Sequence, residues 1–187
     1  WVEAAALGEA CAPTHRLTAA GSQLYAAPSF KSADLATLSM GSLLCVTEIE
    51  GAFARTAEGW VPRQHLSPIS DPAHDPVAMA EKLLGTPYLW GGNGRAGIDC
   101  SGLVVLAHAL CGRAVPGDSD LQRKGFGTLL EEGTPWQRGD LLFWPGHVAM
   151  VVDDTRILHA NSTFMCVMYE GIAEAMARIE GQGDGPF

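Results

Sequence analysis

Over residues 101–110 nearly every side chain is small or apolar, and only His108 interrupts the run. A helix that is apolar all round has to be buried, so the rest of the chain must supply layers to cover it. Gly112 stands where such a helix needs a C-terminal residue free to adopt positive φ. With 187 residues, 47% of them hydrophobic and only 18% charged, the chain has the material for packed cores.

The covering layers can be read on both sides of that run. Asp75 is placed to cap a helix that begins at Pro76, and Val77, Ala80, Leu83 and Leu84 recur at helical spacing until Gly85-Thr86-Pro87 stops it. Beyond a polar loop, residues 140–144, 147–152 and 157–160 read as consecutive strands, separated by Pro145-Gly146 and Asp153-Asp154-Thr155. This order predicts an α+β unit, helix first and antiparallel sheet after.

A different pattern precedes it. Short apolar stretches at 22–25, 43–49, 53–56 and 59–61, punctuated by Gly and Pro, predict a small all-β barrel over residues 10–70. Residues 67–76 carry three prolines, the composition of a boundary, so the second unit is expected over residues 71–187.

The net charge of −9 argues against a partner held by its phosphates, and nucleic acid is not expected. No apolar run approaches the roughly 20 residues that cross a bilayer. Five cysteines cannot all pair. Cys45, in Leu43-Leu44-Cys45-Val46, reads as core filling, as do Cys111 and Cys166.

Cys100 stands apart, at the junction of a glycine-rich loop and the buried helix, where free N–H groups and the helix dipole favour a thiolate. His147 opens one strand and His159 closes the next, and adjacent antiparallel strands can bring two such residues together. A nucleophile needs a base, and the base needs a partner that holds its ring and tautomer. The competing readings are a zinc site built from the same three residues, or histidines that merely end strands. Gly91-Gly92-Asn93-Gly94 lacks the Gly-Lys-Ser/Thr of a phosphate loop and reads as a tight approach to a cleft. His15, His65, His74 and His108 are read as non-catalytic, with His108 a satisfied core or surface histidine.

Leu24-Tyr25-Ala26-Ala27-Pro28, Leu38-Ser39-Met40-Gly41, Glu58-Gly59-Trp60-Val61 and a closing Leu66 together resemble a bacterial SH3-like domain. Trp1-Val2 followed by Leu7 repeats the spacing of Trp60-Val61 followed by Leu66, so residues 1–9 read as the remnant of a preceding module. Pro87-Tyr88-Leu89-Trp90-Gly91-Gly92, Asp99-Cys100-Ser101-Gly102-Leu103-Val104, Gly139-Asp140-Leu141-Leu142-Phe143-Trp144, His147-Val148-Ala149 and Ile157-Leu158-His159-Ala160 resemble the NlpC family of cell-wall cysteine peptidases. That resemblance implies a papain-like α+β core without a metal or organic cofactor. It implies Cys100 as nucleophile, His147 as base, His159 as orienting residue and Tyr88 as an oxyanion donor. It also implies Asp99, Ser101 and Trp90 as substrate-binding residues, Asp99 and Ser101 for the free amine of a stem peptide, L-Ala-γ-D-Glu-diamino acid. The expected activity is hydrolysis after γ-D-glutamyl, in cytoplasm or periplasm. An amidase or acyltransferase on the same core, or a non-catalytic wall-binding protein, is the alternative.

Overall fold

The computed structural model describes Glu3 and residues 11–181, so the Trp1-to-Leu7 echo lies outside the described residues apart from Glu3. Eight short strands come first: β1 (His15–Leu17), β2 (Gly21–Tyr25), β3 (Asp34–Ser39), β4 (Leu43–Leu44), β5 (Glu48–Glu50), β6 (Phe53–Arg55), β7 (Trp60–Pro62) and β8 (Leu66–Pro68). They pair antiparallel in two sheets, ordered β3-β2-β7-β6-β5 and β4-β1-β8. Leu17, Leu24 and Val61 are buried between them, with Leu38, Leu44 and Leu66 packed alongside.

Among the described residues no closed ring of strands is formed, which corrects the expected barrel. The turn at Met40-Gly41-Ser42 carries the chain from β3 in one sheet to β4 in the other, and β4 is only two residues long. The strand expected at 43–49 is split for a covalent reason. Cys45 is disulfide-bonded to Cys11, so it is a cross-link and not core filling, and Cys111 and Cys166 are free but only half-buried.

The second half opens with α1 (Pro76–Glu81), and Asp75 caps it by accepting the Ala78 N–H at 3.1 Å. A hairpin of β9 (Asn93–Gly94) and β10 (Gly97–Ile98) leads into α2 (Cys100–Leu110), the apolar run of the sequence. Then come α3 (Ser119–Gly125), β11 (Leu141–Trp144), β12 (His147–Val151), β13 (Arg156–Asn161), β14 (Cys166–Gly171) and α4 (Ile172–Gly181). The last four strands form one antiparallel sheet in chain order.

Alternation along these strands decides what each face meets. Val148, Met150, Leu158 and Ala160 are buried with Val77, Leu103, Val104 and Ala107 of α1 and α2. Leu142, Ala149, Val151 and Ile157 point the other way, into a second core with Ile172, Ala175 and Ile179 of α4. The sheet is therefore covered on both faces. Elements α3, β14 and α4 had not been expected.

The two halves are tied together at the far end of α2. Arg16, 8% exposed, donates from Nη1 to the carbonyls of Ala109 and Leu110 at 3.0 and 3.2 Å, and from Nη2 to that of Ile69 at 2.6 Å. Lys82 Nζ reaches the Thr18 carbonyl at 2.8 Å, and Met40 is buried in the core of the second half.

Candidate active site

Asp99 starts the site. Its Oδ1 accepts the Gly102 N–H at 2.7 Å and the Ser101 hydroxyl at 3.2 Å, and its Oδ2 accepts the Gly91 N–H at 2.7 Å. The carboxylate thus caps α2 and binds the glycine loop to it. A Cβ on Gly92 would collide with the Gly97 carbonyl, and one on Gly102 with the Gly92 carbonyl, so the loop sits against the helix through bare backbone.

Cys100 is the first residue of α2, a free thiol only 7% exposed. Burial pushes its pKa above the usual thiol range, and the charge of Asp99 adds to this. The N–H groups of Val148, Ser101 and Cys100 itself act in the opposite sense without cancelling it. Burial thus outweighs the helix N-terminus and holds the sulfur as a thiol, against the expectation that its position would favour a thiolate.

The involvement of Val148 places the start of β12 against the sulfur. Strands β12 and β13 are registered with each other only at Met150↔Leu158 and Val151↔Ile157, so beyond that point they part. Here the two imidazoles meet: His147 Nε2 lies 2.9 Å from His159 Nδ1. Burial, then the charge of His159, holds His147 down at about 3, and burial holds His159 at about 4 against the opposing pull of Glu170. Both rings are neutral near pH 7. Among the described residues no group of three or more His, Cys, Asp or Glu side chains is placed to hold a metal ion.

Tyr88 is half-buried, held by its N–H to the Met165 carbonyl at 2.9 Å. Burial, then the charge of Cys100 once it is ionised and that of Asp99, raise its phenol pKa, so it remains a donor at neutral pH. With Gly146, His147, Asn161, Thr163 and Arg178 it lines a cavity of about 140 Å³. Ser101 is buried beside Asp99, whereas Trp90 is 88% exposed at the rim of the glycine loop. The structure thus groups Cys100, Asp99, Ser101, Tyr88, His147 and His159, and leaves Trp90 projecting into solvent.

Three side chains escaped the sequence reading. His159 Nε2 lies 3.0 Å from Glu170 Oε2 and 2.7 Å from Asn161 Nδ2. Arg178 grips both oxygens of Glu170, at 2.9 Å from Nε and 2.8 Å from Nη2. A charged residue in the apolar stretch Val167-Met168-Tyr169, eight positions before an arginine, was the available signal, but it required β14 and α4 to be recognised first.

His108 is a correction. It is 3% exposed yet neither ring nitrogen has a hydrogen-bond partner, and its ring meets Phe126 edge-on at 4.9 Å. It lies more than two helical turns from Cys100. Of the other histidines read as non-catalytic, His65 bonds Ser22 Oγ at 2.7 Å, in the first half of the chain.

A buried thiol at a helix N-terminus and an antiparallel sheet covered on both faces, with two hydrogen-bonded imidazoles where its strands part, define a mixed α/β domain. The model of the NlpC/P60 family matches residues 85–178, half of the chain, and the chain belongs to that family. It is 41% identical over 85 residues to dipeptidyl-peptidase 6 of Lysinibacillus sphaericus, covering 46% of this chain and 31% of that protein. It is 34% identical over 100 residues to gamma-D-glutamyl-L-lysine dipeptidyl-peptidase of Bacillus subtilis strain 168, covering 49% and 33%. The chain thus spans about a third of the length of these curated relatives. Among solved structures, an NlpC/P60 family protein from Bacillus cereus superposes with a TM-score of 0.74 at 26% identity, over 86% of this chain and 58% of that one.

Proposed function

We propose that the chain is a cysteine peptidase that hydrolyses the bond after γ-D-glutamyl in peptidoglycan stem peptides, taking those with a free N-terminal L-Ala. The observation that carries this is the 2.9 Å contact of His147 Nε2 with His159 Nδ1, at the start of the strand whose Val148 N–H acts on the buried Cys100 thiol. With His147 Nε2 committed to His159, its Nδ1 is left to take the thiol proton. The thiolate attacks the γ-carbonyl, the Cys100 N–H and Tyr88 hydroxyl hold the oxyanion, and imidazolium His147 returns the proton to the departing amine. Preorganised donors of that kind are worth ~3–4 kcal/mol of barrier. Water then releases the dipeptide.

For the substrate amine, Asp99 Oδ2 accepts one hydrogen bond among the described residues, from the Gly91 N–H, and Ser101 lies alongside. An ammonium at this carboxylate gives both affinity and selection for a free terminus. Exposed Trp90 would flank the peptide. Residues 10–70 are read as an SH3-like module and residues 71–187 as the peptidase domain. Ser39 of the first packs near Gly94, in the loop leading to Cys100, so the module would wall one end of the cleft and favour short freed peptides, as recycling of wall fragments requires. The curated relative named for γ-D-glutamyl-L-lysine cleavage supports the bond assignment.

The test is mass-spectrometric cleavage of L-Ala-γ-D-Glu-diaminopimelate and its lysine counterpart, beside the N-acetylated peptide and a Cys100→Ala variant. Release of L-Ala-D-Glu from free peptide alone, abolished in the variant, is the expected result. Equal cleavage of the acetylated form would remove the amine anchor. No cleavage by folded protein would favour an amidase, an acyltransferase or a wall-binding role.

A further inference from the structure

The chemistry at His147 depends on which of its nitrogens carries the proton, and the Cys100, His147 and His159 side chains do not decide this among themselves. Two neutral imidazoles joined through one hydrogen bond can share it in either sense. If His147 Nε2–H donates to His159 Nδ1, then His147 Nδ1 is a base. If His159 Nδ1–H donates to His147 Nε2, then His147 Nδ1 carries a proton and cannot accept one from the thiol. The choice is made at the outer nitrogen of the pair, His159 Nε2.

Two groups compete there. Asn161 Oδ1 accepts the Phe164 N–H at 2.8 Å, which turns the Asn161 amino group towards His159 Nε2 at 2.7 Å and favours an unprotonated nitrogen, the unproductive state. Glu170 Oε2, 3.0 Å away, is an acceptor and favours a protonated one. The register of β13 and β14 pairs Ile157 with Glu170 and His159 with Met168, so Glu170 and His159 are diagonal neighbours on one face. Arg178 reaches across from α4 and clasps both Glu170 oxygens, which keeps them ionised. A charge-assisted hydrogen bond is roughly twice as strong as a neutral one, so the carboxylate prevails over the amide.

We infer that Glu170, clamped by Arg178, is a positioning residue that acts through His159 to hold His147 in the tautomer able to deprotonate Cys100. This rests on the catalytic roles proposed above. The order of donation is Nε2–H of His159 to Glu170, and Nε2–H of His147 to His159. When the thiol proton moves from Sγ to His147 Nδ1, the resulting imidazolium is already hydrogen-bonded through His159 to a fixed negative charge.

The experiment compares wild-type protein with Glu170→Gln and Glu170→Asp. Histidine ¹⁵N spectra of resting wild-type protein, recorded at pH 7, should show His147 and His159 protonated at Nε2. Protonation of His147 at Nδ1 would overturn the inference whatever the variants do. In Glu170→Gln the side-chain amide can donate to His159, so both protons should shift to Nδ1. At the same time kcat on the stem peptide should fall by at least ~100-fold while KM changes less than about threefold. Glu170→Asp keeps the charge and should retain the wild-type tautomers with most of the rate. A Glu170→Gln variant that kept both tautomers and kcat would also overturn the inference. Should Glu170→Gln not fold, the wild-type spectrum still decides. Wild-type protein with the stated tautomers but no peptide cleavage would count against the proposed activity and leave the tautomer assignment standing.

Discussion

A buried imidazole without a hydrogen-bond partner lowers stability, and His108 is such a ring. Burial, and secondarily the charge of Arg113, holds its pKa at about 4 instead of 6.5. In the unfolded chain the ring takes a proton below about pH 6.5, while the native ring refuses it until about pH 4, so stability falls with pH across that window and levels off below it. The full drop from this one group is ~3 kcal/mol. His147 and His159, also held low by burial, act in the same direction. Replacing His108 with Leu should raise stability by ~1–2 kcal/mol at pH 7, because two unpaired polar atoms are removed from the core. The gain should grow by a further ~2 kcal/mol at pH 4.5. Urea titrations at the two pH values measure both effects, and a variant weaker than wild type at each would show that the ring makes a bond the structure lacks. Because His108 lies at the far end of the helix from Cys100, peptide cleavage should be unchanged.

At the level of elements, α2 is held at each end by a polar side chain from outside the helix. Asp99 closes its N-terminus, and Arg16, from the first half of the chain, satisfies the carbonyls of Ala109 and Leu110 in its last turn, where a cation also meets the negative end of the helix dipole. Arg16→Met removes one donor from each of three carbonyls, of which Ala109 and Leu110 keep the N–H groups of Gly112 and Ala73, and should cost ~1–3 kcal/mol in urea unfolding. A loss below ~0.5 kcal/mol would mean that water replaces the guanidinium without penalty. The helix itself was legible in the sequence because residues 101–110 leave no polar face, and Cys100, His147 and His159 were legible because each sits at an element end marked by glycine, proline or a change of period. Glu170 and Arg178 were not, since their meaning lies in the register of β13 with β14 and in the packing of α4, neither of which has a local signature. The run from Leu43 to Ile49 misled for a similar reason: a cross-link to Cys11 interrupts what local propensity would continue. His108 looked satisfiable because a sequence shows a polar residue but not whether a partner reaches it.

For the molecule as a whole, the question is whether the two halves unfold as one. The Cys11–Cys45 disulfide spans a separation of 34 residues within the first half, whose own apolar core is small. Closing a loop of that size stabilises by ~3–4 kcal/mol in the chain-entropy account. The first half is also joined to the second through Arg16, Lys82 and the buried Met40, so the loss of the disulfide should be transmitted across the join instead of melting the small sheets alone. The expectation for a Cys11→Ser/Cys45→Ser variant is a single urea transition, displaced by ~3 kcal/mol, with near-ultraviolet and far-ultraviolet signals coincident. Alkylation of Cys100 by iodoacetamide under native conditions should proceed at the wild-type rate, because the sulfur is set by α2, β12 and the glycine loop, none of which the disulfide touches. Two separated transitions would show instead that the sheets before residue 70 unfold independently of the half that follows. A faster alkylation would show that they help to shield Cys100, and so that the first half borders the proposed site.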